Sequence, residues 1–188
     1  MMFSKNPEQC TTELRFIPRE ERPQSVPLLG KCFPSPFGSL CGLFEEERLI
    51  ALALVGEVDH NAVTQVWTRS FGAFSWKISA ETQEDLRRTS VWIAYGTLFQ
   101  QHVWKTLRTV PFGQQLSYSQ LACKAGCPKA VRAVASAVAS NPLALILPCH
   151  RVVAQSGLGG YRWGLCTKER LLAWERTHDA KDSYPCCW

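Results

Sequence analysis

Apolar and polar positions change period several times along this chain, and each change marks an element. Up to about Gly30 the sequence is polar and interrupted by Pro7, Pro18, Pro23 and Pro27, which predicts an irregular lead-in. Ser35-Pro36-Phe37-Gly38 then turns into Ser39–Phe44. Glu45-Glu46-Glu47 separates that run from Arg48–Val55, whose leucines and alanines predict the second arm of a hairpin. Helices are expected at 61–70 and 82–95, with Trp67, Phe71, Phe74 and Trp76 as core residues.

The second half has a clearer rhythm. Phe99, Val103 and Leu107 recur at helical spacing within 97–109, and Pro111-Phe112-Gly113 ends that helix. Ser117 followed by Gln120 is a capping box, so Tyr118 opens a short helix that runs to about Ala125, with Gly126 as its stop. Pro128 fits the first turn of a second helix that continues to Ser140 and closes at Asn141-Pro142. Two short helices joined around a glycine predict a helix-turn-helix. On the second helix Val131, Val134, Ala135 and Val138 form the expected buried stripe, leaving Arg132, Ala133, Ser136, Ala137 and Ser140 outside. Only Arg132 is long, so the face is too smooth to read base edges; it either lets the backbone approach a groove wall or packs another helix through its alanines. Leu143–Leu147 is a short apolar run that should emerge from the core as an extended segment carrying Pro148-Cys149-His150-Arg151.

Composition adds class and partner. The chain has 188 residues, 46% hydrophobic and 20% charged, as expected of a soluble globular protein. No run approaches the ~20 apolar residues that span a bilayer, and the start MMFSKNPEQC lacks the apolar segment of a secretory signal. An intracellular location is expected, cytoplasmic in a bacterium or nuclear in a eukaryote, with no membrane partner. The nine cysteines lack the paired spacing of a disulfide framework or zinc ribbon, which suits a reducing interior.

Charge is asymmetric. Residues 1–90 carry ten Lys/Arg against twelve Asp/Glu, whereas 91–188 carry eleven against four. Between Leu86 and Lys168 there is no carboxylate, while Lys129, Arg132, Arg151 and seven other cations fall in that span. Such a surface suits the phosphates of a nucleic acid; a solvated basic face is the plainer alternative.

The candidate chemistry centres on Cys149. A thiol delivered beside an imidazole, with Arg151 near enough to favour negative charge, is a candidate nucleophile, although a buried cysteine is more often inert packing. Neighbours in an extended segment point to opposite faces, so His150 would act on Cys149 through a water. Glu175 shares a helical face with Leu171 and Leu172, which would turn it inward to hold the imidazole; alternatively it pairs with Arg176 or Lys168 on the surface. The loop 155–164 carries four glycines with Tyr161 and Trp163, and can bring backbone groups against a planar ligand. From the residues alone, a DNA-binding regulator and a cysteine hydrolase using a remote His60, His102 or His178 both remain open.

The stretches GTLFQQHVW (96–104), PFGQQLSYSQLA (111–122), PKAVRAVASAVASNPLA (128–144), LPCHRVV (147–153) and GGYRWGLCTKERLLAWE (159–175) together resemble the O6-alkylguanine-DNA alkyltransferase family. GYRWG and AVRAVASA look most like the C-terminal half of the bacterial adaptive-response methyltransferase. The resemblance implies an α+β fold: a small N-terminal, ribonuclease H-like sheet domain (1–95), a mostly helical DNA-binding and active-site domain (96–178) and a tail (179–188). It implies irreversible, single-turnover transfer of the alkyl group from O6-alkylguanine, and from O4-alkylthymine, in flipped-out bases of duplex DNA to Cys149. It casts His150, a water and Glu175 as the deprotonating relay, Asn141 as the brace between recognition helix and active-site strand, and Tyr118 as donor to the base. Arg132 would fill the gap in the duplex, with Lys129, Ala133, Ser136, Ala137 and Arg151 on the DNA side. Tyr161, Arg162, Trp163, Val152 and Ala144 would form the pocket, Ala144 replacing the proline of vertebrate-like members so that a benzyl ring packs poorly. A sequence-independent, minor-groove, monomeric binder without cofactor is expected. Cys10, Cys32, Cys41, His60 and His102 do not reproduce the zinc ligands of some relatives.

Overall fold

The computed structural model describes residues 12–56, 60–77, 89 and 91–179. Its first half comprises strand β1 (Glu13–Pro18), β2 (Leu28–Ser35), β3 (Gly38–Glu45), β4 (Arg48–Val55), helix α1 (His60–Phe71), β5 (Ser75–Trp76) and β6 (Val91–Gly96). The second half comprises α2 (Leu98–Arg108), β7 (Leu116–Ser117), α3 (Tyr118–Lys124), α4 (Val131–Ala139), β8 (Val152–Val153) and α5 (Leu165–Thr177). The first six strands form one sheet in the order β1-β6-β4-β3-β2-β5. The β2-β3-β4 meander is antiparallel, and β4 pairs in parallel with β6.

Strand β4 is apolar at every position after Arg48 because both its faces are covered. Leu49, Leu52 and Leu54 face the helical half and join Val103, Trp104 and Leu107 of α2. Ile50, Ala51, Ala53 and Val55 face the other way, against Val63, Trp67 and Phe71 of α1. Leu43 pairs with Ala51 and Phe44 with Leu49, so Ile50 is the extra residue of a β-bulge, and the bulge resets which side chains reach each face. One core cluster therefore continues from the sheet into the helices.

The junction between the halves is tight. Thr97 and Gln100 close a capping box at the start of α2. A Cβ at Gly96 would lie 2.5 Å from the Trp104 ring, so only glycine lets this indole pack across the end of β6. Trp104 Nε1 then donates to Ala137 O at 2.8 Å, and Gln100 Nε2 donates to Ser140 Oγ at 2.9 Å, fixing α4 on α2.

The fold class expected from the sequence is the one observed, including the hairpin, α1 and the helix-turn-helix of α3 and α4. Several local expectations are corrected. The lead-in contains β1, which pairs in parallel with β6 far along the chain. The segment expected to be helical at 82–95 ends in a strand from Val91, and most of the rest lies outside the described residues. Pro128 sits in a turn before α4, which begins only at Val131. Phe99 is partly exposed, and Trp104 takes the buried position instead. Cys32 and Cys41 face each other across β2 and β3 and form a disulfide, which linear spacing did not suggest. No helix among the described residues is long and apolar enough to cross a membrane.

Candidate active site

Asn141 stands where α4 ends, and the chain beyond it is wound around its side chain. Its Nδ2 donates to Leu147 O at 2.8 Å and to Cys149 Sγ at 3.0 Å, while Oδ1 accepts from Leu143 N at 2.9 Å. The apolar run 143–147 is consequently a set of turns, with Leu145 at φ 70°. Burial alone produced its apolar pattern, and the extended strand expected there is absent. The segment is anchored on the sheet: Leu52 N donates to Pro142 O at 2.8 Å, and Ala144 N donates to Leu52 O at 2.9 Å.

Cys149–Arg151 forms a 3-10 turn, which sends His150 and Arg151 into the interior together. His150 is fully buried with Nε2 2.8 Å from Glu175 Oε1. Arg151 grips the same carboxylate through Nε, at 3.0 Å from both oxygens, and through Nη2 at 2.8 Å. Its Nη1 donates to Val110 O at 2.7 Å, and Gly113 N donates to Glu175 Oε2 at 3.0 Å. A carboxylate served by so many donors remains an acceptor, so His150 presents Nε2–H to it and keeps the Nδ1 lone pair as the basic site.

The Cys149 thiol is half-buried in the floor of a cavity of 290 Å³, whose wall includes Tyr118, Asn141, Tyr161, Arg162 and Trp163. Val138, Ala139 and Gly160 complete the lining. Burial pushes the thiol pKa up, while the Asn141 amide and the charges of Lys168 and Arg162 pull it down. Burial and the nearby sulfur raise the phenols of Tyr118 and Tyr161, so both stay protonated as donors at neutral pH. Pairing of β7 with β8 carries Tyr118 to the thiol's side, with Leu116 opposite Val152.

A family profile described as "6-O-methylguanine DNA methyltransferase, DNA binding domain" matches residues 98–177. The methylated-DNA–protein-cysteine methyltransferase of Mycobacterium tuberculosis H37Rv is 42% identical over 121 residues, 62% of this chain and 73% of that protein. The chain belongs to the O6-methylguanine DNA methyltransferase family. The bifunctional transcriptional activator/DNA repair enzyme Ada of Escherichia coli K12 is 41% identical over 154 residues, 75% of this chain, and the chain spans only 44% of that longer protein. The crystal structure of Mycobacterium tuberculosis OGT in complex with DNA aligns with TM-score 0.57 and 30% identity, covering 79% of this chain and 93% of that one.

Within this family fold, the structure gathers Cys149, His150, Glu175, Asn141, Tyr118, Tyr161, Arg162 and Trp163 about one pocket. Lys129, Arg132, Ala133 and Ser136 are exposed along the helix-turn-helix. Four expectations are corrected. Arg151 is buried against Glu175, so it neither faces DNA nor lends its charge to the thiol. Ala137 is buried, its carbonyl taken by Trp104, and Ala139 occupies the outer face in its place. Ala144 lies behind the pocket, bonded to β4 and packed with the core cluster around α1, which removes the basis for the benzyl-ring expectation. Val152 is buried and its carbonyl accepts from Lys168, so it supports the pocket without lining it.

Lys168, grouped with the surface cations from the sequence, is fully buried. Its Nζ donates to Val152 O and Leu158 O, each at 2.6 Å, and to Gly160 O at 3.2 Å, clasping the glycine loop to the active-site turn. Burial lowers its pKa to about 8, against the pull of the Cys149 charge. Its spacing held the missing signal: Lys168, Leu171, Leu172 and Glu175 stand at i, i+3, i+4 and i+7 on one buried face. Among the described residues, no three His, Cys, Asp or Glu side chains come together to hold a metal.

Burial pulls His150 below its ordinary value of 6.5, and the Glu175 hydrogen bond opposes that pull. The unfolded chain takes up this proton as pH falls through 6.5, and the folded chain resists it. The contribution to stability is therefore present above that pH and lost below it. The melting temperature should drop from about pH 7.5 to about pH 5.5, and His150→Gln should flatten the drop in differential scanning fluorimetry. An unchanged slope in the variant would place the titration elsewhere.

Proposed function

We propose that this chain repairs alkylated DNA by direct reversal, transferring the alkyl group of an O6-alkylguanine irreversibly to Cys149. The observation that carries this reading is the Cys149 thiol in a pocket wall, hydrogen-bonded by Asn141, with His150 of the same turn bonded to the buried Glu175 of α5. His150 takes the thiol proton through a bridging water. The thiolate attacks the alkyl carbon, the S–C bond forms as the C–O6 bond breaks, and the guanine anion takes a proton donated from the side of Tyr118. The product is a thioether that nothing in the site reverses, so each chain reacts once. O4-alkylthymine presents the same kind of carbon on oxygen and is a second substrate on this reading.

An alkylated base inside a duplex must be flipped out, at a cost of a few kcal/mol. The exposed face of α4 supports approach of the backbone to a minor groove, with Arg132 entering the stack, by a monomer acting inside the cell on duplex DNA regardless of sequence. Intact-mass and peptide spectrometry after exposure to a methylated duplex tests the reading directly. One alkyl group per chain, on Cys149, supports it. DNA binding without any mass gain would make the protein a lesion sensor instead.

Arg132→Ala should slow transfer from duplex DNA about 10- to 100-fold, yet change reaction with a free alkylated base less than about 2-fold, because a free base needs no flipping. Single-turnover rates on both substrates check this. Equal losses would remove Arg132 from the flipping step.

A further inference from the structure

We propose that the hairpin turn at Pro36–Phe37, in the sheet half, is a positioning element for the Glu175–His150 pair and acts by clamping α5. Arg170 of α5 donates from Nη2 to Pro36 O at 2.8 Å and from Nη1 to Phe37 O at 3.4 Å. One helical turn later, Trp174 meets the Phe37 ring edge to face, with centroids 5.8 Å apart and planes at 83°. On its other side Trp174 meets Phe112 in the same way, at 5.7 Å and 82°. Phe112 in turn lies under the Arg151 guanidinium at 5.4 Å, and its neighbour Gly113 donates to Glu175. The aromatic string thus runs from the hairpin to Arg151 and Gly113, two of the residues that hold the carboxylate. None of Phe37, Arg170 and Trp174 lines the pocket.

The helix has reason to need such a clamp. It follows Gly164 without a side-chain cap at its N-terminus, and it carries both Lys168 and Glu175, which serve the thiol from one face. Side chains reach about 5–6 Å from a helix axis, so a rotation of roughly 10° would move the carboxylate by about 1 Å. A displacement of that size at a reacting group can slow a reaction up to about 100-fold. Arg170 and Trp174 sit one turn apart beside the buried face and oppose that rotation.

The proposal rests on the alkyl-transfer reading, and its test separates the two. In the full chain, Cys149 labelling by iodoacetamide is followed against pH by peptide mass spectrometry, alongside transfer from a methylated duplex, affinity for undamaged DNA and thermal melting. The groups that act on Cys149 are Asn141, Lys168 and Arg162, with Tyr118 and Tyr161 close enough to feel its charge, and neither Phe37→Ala nor Arg170→Gln replaces any of them. Well below the melting temperature, both variants should raise the midpoint of the labelling profile by about half a pH unit or more, because α5 also carries the Lys168 charge that holds the thiol's pKa down. Both should slow transfer about 5- to 20-fold, with DNA affinity unchanged and Phe37→Tyr restoring what Phe37→Ala loses. Arg170→Gln removes an exposed side chain and keeps the test open even if Phe37→Ala folds poorly. A midpoint unmoved in Arg170→Gln overturns the proposal. Wild-type protein whose Cys149 labels normally but never accepts an alkyl group from DNA would refute the transfer reading, while the labelling profiles would still decide the role of the hairpin.

Discussion

Cys149→Ser should abolish alkyl transfer, by roughly 1,000-fold or more, while leaving affinity for undamaged duplex within about 2-fold. Displacement at an alkyl carbon needs a soft, polarizable nucleophile that can be formed near neutral pH, and a serine hydroxyl is neither. The site would otherwise survive, because Asn141 Nδ2 donates to Sγ now and can donate equally to a hydroxyl oxygen. On the reading proposed above, DNA affinity rests on phosphate contacts from exposed cations such as Lys129, which the substitution leaves in place. Intact mass after incubation with methylated duplex, paired with fluorescence anisotropy on the same sample, checks both halves. Transfer persisting onto Cys123, Cys127 or Cys166, the other free thiols among the described residues, would move the reaction away from the pocket.

The second large effect is expected at Glu175. Replacing it with glutamine leaves the Arg151 guanidinium buried without its countercharge, a loss of about 3–5 kcal/mol, which in a chain of this size lowers the melting temperature by roughly 10 °C. The rate should suffer separately. A glutamine amide that turns its NH2 toward His150 Nε2 forces the ring proton onto Nδ1, and the lone pair needed for deprotonation is lost. Transfer measured well below the melting temperature should fall about 100- to 1,000-fold. Arg151→Met combined with Glu175→Gln removes both buried charges, so it should recover much of the stability without recovering the rate. A folded Glu175→Gln protein that transfers at the wild-type rate would show that the carboxylate serves the fold alone.

Much of this site was legible along the chain because its signals are local. Ser117 and Gln120 form the capping box that their spacing announced, and this box sets Tyr118 at the first turn of α3. Glu175 does face inward with Leu171 and Leu172, one of the two placements that helical periodicity left open. The family resemblance then turned a cysteine beside a histidine into a reaction. An apolar pattern reports burial but not conformation. The run 143–147 is as buried as a core strand, yet Asn141 folds it into turns, and the 3-10 turn after Pro148 sends Arg151 toward Glu175. A lone cation in a sequence suggests solvent, whereas Lys168 is held in the interior by three carbonyls from the glycine loop and β8.

The starts of α2 and α3, the hairpin, the basic second half and the adjacency of Cys149 and His150 are local features of the chain, readable within one or two turns where capping, periodicity and turn propensity act. The pairing of β1 with β6, the cradle of Lys168 and the clamp of Pro36–Phe37 on Arg170 all join separate segments. Those contacts exist only once the core has brought the sheet and helices together, since a side chain's partner across space is set by packing and register and leaves no periodic trace in its own neighbourhood.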